Sequence, residues 1–304
     1  MSTYKHPHTP TAWKKKYIMW PLSGACTWLA HKIIQALPID IASCLIGKLA
    51  RAIGPLLPIS SRAERNMKAC FPDWTDKQLR KNIRDMWENL GRTAAEYPHI
   101  QRLDISGHDK RVEVVGADKI LSLRDDNLPG IVFSGHLGNW EILPMLAHPN
   151  GLDMNFVYRA LNSPLAEKVL RKTSGKLENK FIAKGRKGAI QMARVMREGG
   201  HLALMVDQKL NEGIEVPFFG RPAKTSTALA AFALRYRCPV IPARVERLTG
   251  AQFRVTFCDP VDLPDSGSTT ADTLALMTKI NQQIEHWVRD TPSQWLWLHR
   301  RWGK

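Results

Sequence analysis

Gly135-His136-Leu137-Gly138-Asn139-Trp140-Glu141 follows the apolar, β-branched run Ile131-Val132-Phe133 and precedes a short helical pattern from Trp140 to Ala147. The histidine therefore sits where a buried strand ends, and a carboxylate follows five positions later in the first turn of the next element. Ligands of open α/β sheets bind outside the carboxyl ends of strands. Histidine takes up and releases a proton near neutral pH, and a neighbouring carboxylate fixes its tautomer and stabilises its cation. His136 and Glu141 are on this ground a candidate general-base dyad. Taken alone, such a pair is more often structural or a solvated surface pair, because geometry and not spacing decides the role. Zinc fits poorly. A helical pair of ligands needs a second His one turn away, and the spacing here is five.

Outward from this stretch the chain divides into two patterns. Four helical stretches come first, Trp20–Leu37, Ile39–Ile53, Ser61–Cys70 and Asp76–Tyr97, punctuated by Pro38, Pro55, Pro58 and Pro72. Thr75 with Gln78 reads as a capping box for the fourth. Leu79, Ile83, Met86, Trp87 and Leu90 recur at helical spacing and form a core face. From Val112 strands and helices alternate. The strand candidates are Val112–Val115, Gly130–Ser134, Met154–Tyr158, His201–Val206, Val240–Glu246 and Phe253–Phe257. Helices are expected near Pro164–Glu178, Gly188–Arg197, Ser226–Tyr236 and Ala271–Arg289. Alternation of this kind predicts an α/β fold: a mixed, largely parallel central sheet with helices on both faces, preceded by an N-terminal helical membrane-associated region. The boundary is placed at Pro58, giving residues 1–58 as an attachment region and 59–304 as the α/β domain.

His136-x-x-x-x-Glu141 resembles the H-x4-D/E motif of glycerolipid and lysophospholipid acyltransferases. The longer string from His136 to Glu141 is similar to that of the late acyltransferases of lipid A synthesis, the lauroyl and myristoyl transferases. Met86-Trp87-Glu88-Asn89-Leu90-Gly91-Arg92 with Glu96, Asp207-Gln208, Val216-Pro217-Phe218-Phe219-Gly220 with Ala223 and Thr225, and the tail Gln294 to Arg301 resemble that family in the same order. Pro144 departs from the pattern and should shorten or kink the following helix. The resemblance implies acyl transfer from acyl carrier protein to a hydroxyl of a lipid A precursor, or of another glycolipid or phospholipid. Neither metal nor dissociable cofactor is expected. It also implies that Arg159 and Asn162, at a strand end, and Asp207, Gln208 and Thr225 belong to the substrate site.

Acyl transfer needs a base for the hydroxyl, donors for the oxyanion and both substrates in line. His136 supplies the first, with Glu141 holding it. Backbone N–H groups near Gly138 to Trp140 are candidate oxyanion donors, since a helix start concentrates free donors. Ser134 shares a strand face with His136, but a structural hydroxyl suits it better than a nucleophile. Arg186, in Ala183-Lys184-Gly185-Arg186, reads equally as a solvated basic loop. Phe218 and Phe219 suit either core or an acyl pocket. In the tail, Trp295 and Trp297 are expected to pack and Arg301 and Lys304 to lie at the surface.

The 304 residues are 44% hydrophobic and 24% charged, with net charge +16. That charge attracts polyanions. Acyl carrier protein, a phosphorylated glycolipid acceptor and an anionic membrane surface all fit. Nucleic acid does not, since Lys and Arg are dispersed and no recognition motif occurs. Five scattered cysteines without C-x-x-C suit a reduced, cytosol-facing protein. Lys14–Lys16 precede the uncharged run Tyr17 to Ala30, which is short for a bilayer span of about 20 residues. With Tyr17, Trp20 and Trp28 it reads as a helix lying on the cytoplasmic face of the inner membrane. A plain core helix is the simpler alternative.

Overall fold

The computed structural model describes residues 19–103, 111–126, 128–147, 151–161, 163–173, 175 and 180–303. Asn162, Lys14–Lys16 and Lys304 lie outside them. Helices α1 (Trp20–Ala36), α2 (Ile39–Ile53), α3 (Ser60–Cys70) and α4 (Asp76–Glu96) come first. Thr75 opens α4 with the expected capping box: its hydroxyl accepts from Gln78 N, and Gln78 Oε1 accepts from Thr75 N.

The sheet that follows has seven strands: β1 (Val112–Val115), β2 (Gly130–Ser134), β3 (Met154–Tyr158), β4 (Phe181–Ala183), β5 (His201–Met205), β8 (Val240–Arg247) and β9 (Phe253–Phe257). Their order is β1-β9-β8-β2-β5-β3-β4. Only β8 and β9 pair antiparallel. The fold is thus the mixed, largely parallel α/β architecture that alternation predicts. From β2 the chain builds β3, β4 and β5 on one side, then crosses to the other side for β8. The carboxyl end of β2 is therefore the switch point of the sheet, where such folds open a crevice.

Alternate residues of β2 enter different cores, as the period of two requires. Ile131 and Phe133 pack with Leu276, Ile280, Ile284 and Trp287 of α10 (Thr269–Asp290) and with α4. Val132 packs on the other face with Ile120 and Leu123 of α5 (Ala117–Asp125) and Leu146 of α6 (Leu143–Ala147). Ser268 caps α10 by accepting from Ala271 N.

Three elements depart from expectation. Helix α5 and the short strand β4 were not foreseen. Neither was the hairpin of β6 (Ile214–Phe218) and β7 (Arg221–Thr225). Its turn residues Phe219 and Gly220 both have positive φ, 52° and 65°. Asn-Gly is the usual signature of such a turn. Here an aromatic holds the left-handed position, pinned by a Phe219 N–H bond to Glu285 Oε2 (2.5 Å) and by packing on Trp297 and Trp302. Helix α7 is described over Pro164–Thr173, residues 174 and 176–178 of its expected span lying outside the described ones, and α8 (Arg186–Arg197) and α9 (Ala228–Tyr236) start within two residues of theirs. After the His136 turn the chain makes one 3-10 turn, Trp140–Ile142, and then the five-residue α6. Pro144 sits at the start of α6, where a missing N–H costs no helical bond, and residues 148–150, just beyond Ala147, lie outside the described ones.

The tail also differs. Trp295 and Trp297 are buried as expected, but Arg301 is 0% exposed. Its guanidinium donates to Lys224 O, Thr225 Oγ1 and Asn281 Oδ1 and lies 5.0 Å from the Phe218 ring centroid. The hairpin supplies acceptors that no local pattern reveals. Phe218 and Phe219 belong to this aromatic core and not to a pocket wall.

Candidate active site

The register of the sheet builds the site. Ser134 of β2 pairs with Met205 of β5, and Val206 N donates to Ser134 O. One step further, His136 stands beside Asp207. Asp207 Oδ1 lies 2.7 Å from His136 Nδ1, and Oδ2 accepts from His136 N (2.8 Å) and from the Trp295 indole (2.8 Å). Burial alone would push the Asp207 carboxyl up. The His136 charge, its two bonds and the Trp295 bond override burial and hold it well below the usual range. An ionised Asp207 can only accept, so the proton sits on Nδ1 and Nε2 keeps its lone pair. Gln208 Nε2 lies 3.3 Å from that nitrogen, within reach to donate to its lone pair.

The expectation that Glu141 holds His136 is corrected by this geometry. Glu141 Oε1 accepts from the Trp140 indole (2.9 Å) and makes no bond to His136. The 3-10 turn carries its carboxyl to the Trp140 side, while β5 presents Asp207 directly to Nδ1. Desolvation pushes the Glu141 carboxyl up, opposed by the Trp140 bond and the charge of His136. Glu141 therefore acts on the imidazole through space and through Trp140, whose ring stands edge-on to His136 at 5.1 Å.

The turn itself is fastened from beneath. Gly138 has φ 56°, and a Cβ there would meet Val245 O at 2.7 Å. Its carbonyl accepts from Asn89 Nδ2 and Thr93 Oγ1 of α4, and its N–H donates to Gln294 O. Buried Asn139 donates to Glu96 Oε2 (2.8 Å) and accepts from Glu141 N. Glu96 is fully buried and paired with Arg247. Ser43 donates to the same carboxylate. A buried charge pair persists when its remaining valences are satisfied, and here they are. The Glu96 cluster ties α2, α4 and β8 to the turn after β2.

A cavity of about 720 Å³ opens beside His136. Ile34, Leu90, Ile120, Phe156, Phe181 and Phe257 give it an apolar wall, and His136, Glu141, Arg159, Gln208, Lys184 and His299 provide polar groups. Helix α1 forms part of the wall through Thr27, Ala30, His31 and Ile34. Arg159 is exposed at the end of β3 with no carboxylate partner among the described residues. Ser134 lines the cavity, but its hydroxyl is buried against Gly135 O. Among the described residues no group of three or more His, Cys, Asp or Glu could hold a metal ion.

A profile of the bacterial lipid A biosynthesis acyltransferases matches residues 14–304. The chain belongs to that family. It is 23% identical over 271 residues to a lipid A biosynthesis acyltransferase of Haemophilus influenzae, covering 88% of this chain and 83% of the relative. It is 26% identical to a lipid A biosynthesis lauroyltransferase of Escherichia coli, covering 90% of each. A lipid A biosynthesis palmitoleoyltransferase of Escherichia coli is 23% identical over 84% of this chain and 82% of its own.

In this acyltransferase the expected site residues separate. His136, Glu141, Arg159 and Gln208 line the cavity, and Asp207 supports His136 from behind. Asn162 lies outside the described residues. Thr225 does not reach the cavity. It is fully buried, its hydroxyl donating to Ala223 O and accepting from Arg301 and Asn281. Its place is in the hairpin core, and the substrate role expected of it is withdrawn. Arg186 lies at the start of α8, outside the cavity lining. Of the amides expected to meet an oxyanion, Gly138 N–H is already occupied by Gln294 O. Two further residues line the cavity without a role in the sequence reading: Lys184, one residue beyond β4, and His299 in the tail. Their signal was position in a motif whose three-dimensional neighbours were unknown.

Proposed function

We propose that this acyltransferase moves a fatty acyl chain from acyl carrier protein to a hydroxyl of a phosphorylated glycolipid of the lipid A precursor type, with His136 as general base. The observation that carries the reading is His136 on the wall of a largely apolar cavity, with Asp207 fixing its tautomer from behind and Gln208 Nε2 3.3 Å from the Nε2 that accepts. The acceptor oxygen would bond to the thioester carbonyl carbon as its proton passes to Nε2, and the carbonyl π pair would move onto oxygen. Re-forming the C=O bond breaks the C–S bond, and the departing thiolate takes the proton back from His136. Asp207 and Glu141 offset the imidazolium charge while it lasts. The acyl chain would lie along the apolar wall, where each buried methylene contributes about 0.8 kcal/mol. The test is incubation with labelled acyl carrier protein thioester and a lipid A precursor, read as mass gain on the lipid. Label found only on a different glycolipid would keep the chemistry and overturn the acceptor.

Arg159 would meet an acceptor phosphate, since its planar fork matches phosphate oxygens. Arg159→Ala should raise KM for the phosphorylated acceptor by roughly tenfold to a hundredfold, the loss of a charge-assisted bond, and Arg159→Lys should restore it only in part. Equal KM in all three proteins removes Arg159 from the site.

Residues 1–58 would hold the protein on the cytoplasmic face of the inner membrane. No single described helix is long and apolar enough to cross a membrane. Yet α1 exposes Leu22, Leu29 and Ile33, and α2 exposes Ile41, Leu45, Leu49 and Ile53, a stripe at helical spacing on each. Exposed stripes of this kind, with net positive charge, suit an anionic lipid surface. Leu45→Glu with Leu49→Glu should sharply lower co-sedimentation with phosphatidylglycerol vesicles. Unchanged binding would place the attachment elsewhere.

A further inference from the structure

We propose that His299 is a second catalytic imidazole, whose Nε2–H donates to the thioester carbonyl oxygen as that oxygen becomes an oxyanion; this rests on the acyl-transfer reading above. Three observations support it.

The first is place. His299 lines the cavity that His136 and Gln208 line. It reaches there on a segment fastened along its length. Leu296 N donates to His136 O, the Trp295 indole to Asp207, Arg62 to Leu298 O, and Asn66 to both Trp297 O and His299 O. A donor held this way needs little reorganisation when charge develops in front of it, which is what makes such a donor effective.

The second is tautomer. Lys209 N donates to His299 Nδ1 at 3.5 Å. A backbone N–H can only donate, so Nδ1 must accept, and the ring proton belongs on Nε2. Among the described residues no protein group accepts from Nε2. A donor without a protein acceptor, on the wall of the cavity that His136 lines, is placed to take a carbonyl oxygen.

The third is charge. The groups that face His299 are Asp207, His136, Arg301 and Arg62. Burial is the largest cause lowering its pKa and Asp207 opposes it next; with the smaller contributions of His136, Arg301 and Arg62 the value falls to about 4. A neutral ring is what the chemistry requires. His136 becomes a cation as the hydroxyl attacks, and a second cation beside it would resist that step. The amide of Gly138, the other natural donor, is occupied by Gln294 O.

The test uses the full-length protein with His299→Ala, His299→Phe and His299→Gln, the last because its amide can set an N–H near the place of Nε2. Ala and Phe should lower kcat by about 10²–10³, with KM for acyl carrier protein held within roughly threefold. Gln should recover about tenfold over Phe. Nitrogen-15 NMR at pH 7 should find the His299 ring neutral with its proton on Nε2. Melting temperature gives a further reading. The unfolded chain binds this proton near pH 6.5 and the folded chain only near 4. Stability is therefore full above about 6.5 and is lost as pH falls toward 4, and His299→Gln should lose less across that window. An active wild type with His299→Ala at full rate overturns this inference alone. So does a Gln variant no better than Phe, or a cationic ring or Nδ1–H tautomer at pH 7. A wild type without any thioester chemistry overturns this inference and the acyl-transfer reading together.

Discussion

His136→Ala is expected to abolish measurable transfer, lowering kcat by about 10²–10⁴, while the melting temperature stays near that of the wild type. The imidazole lines a cavity and belongs to neither packed cluster, so its removal leaves no void among core side chains. It does release Asp207 from one of its three hydrogen bonds, but those from the His136 backbone N–H and the Trp295 indole remain. Acyl-carrier-protein thioester turnover under single-turnover conditions separates the base from product release. A variant keeping more than about a tenth of wild-type kcat would remove His136 from the proton-transfer step.

Asp207→Asn should be nearly as damaging, by about 10³–10⁴ in kcat, because an amide can donate to Nδ1 and so drive the ring proton onto Nε2, leaving no base. Glu141→Gln should be milder, roughly tenfold, since it removes about 1.4 kcal/mol of through-space stabilisation and leaves the tautomer alone. The ordering is the test. If Glu141→Gln proved the more severe, the orienting role would return to Glu141. Asp207 also contributes stability. Its folded pKa is depressed, so that contribution is present above about pH 3.9 and is lost as pH falls through the folded value. The Asn variant should therefore show a flatter acid limb in melting temperature.

The elements that local chemistry alone specifies were legible in the chain. The capping box of α4, the apolar runs of β2, β5 and β8 and the proline breaks among the first helices depend on residues within a few positions of one another. His136 was legible too, because a strand end followed by a glycine-containing turn is a local pattern. The aromatic β6–β7 turn was not, since its left-handed Phe219 is stabilised by Glu285, 66 residues away. Arg301 read as surface because its acceptors, Lys224 O, Thr225 and Asn281, are also remote.

The same division runs through the site. By itself the sequence determined which residue could move a proton and that an α/β sheet would carry it, because both follow from side-chain type and hydrophobic period. Which carboxylate holds the imidazole was decided only by tertiary structure. Glu141 is five residues from His136 in the chain, and the 3-10 turn directs it to Trp140. Asp207 is 71 residues away, and the parallel register of β2 on β5 brings it to 2.7 Å from Nδ1. Strand order is a property of the whole sheet, so no spacing along the chain could have revealed that contact.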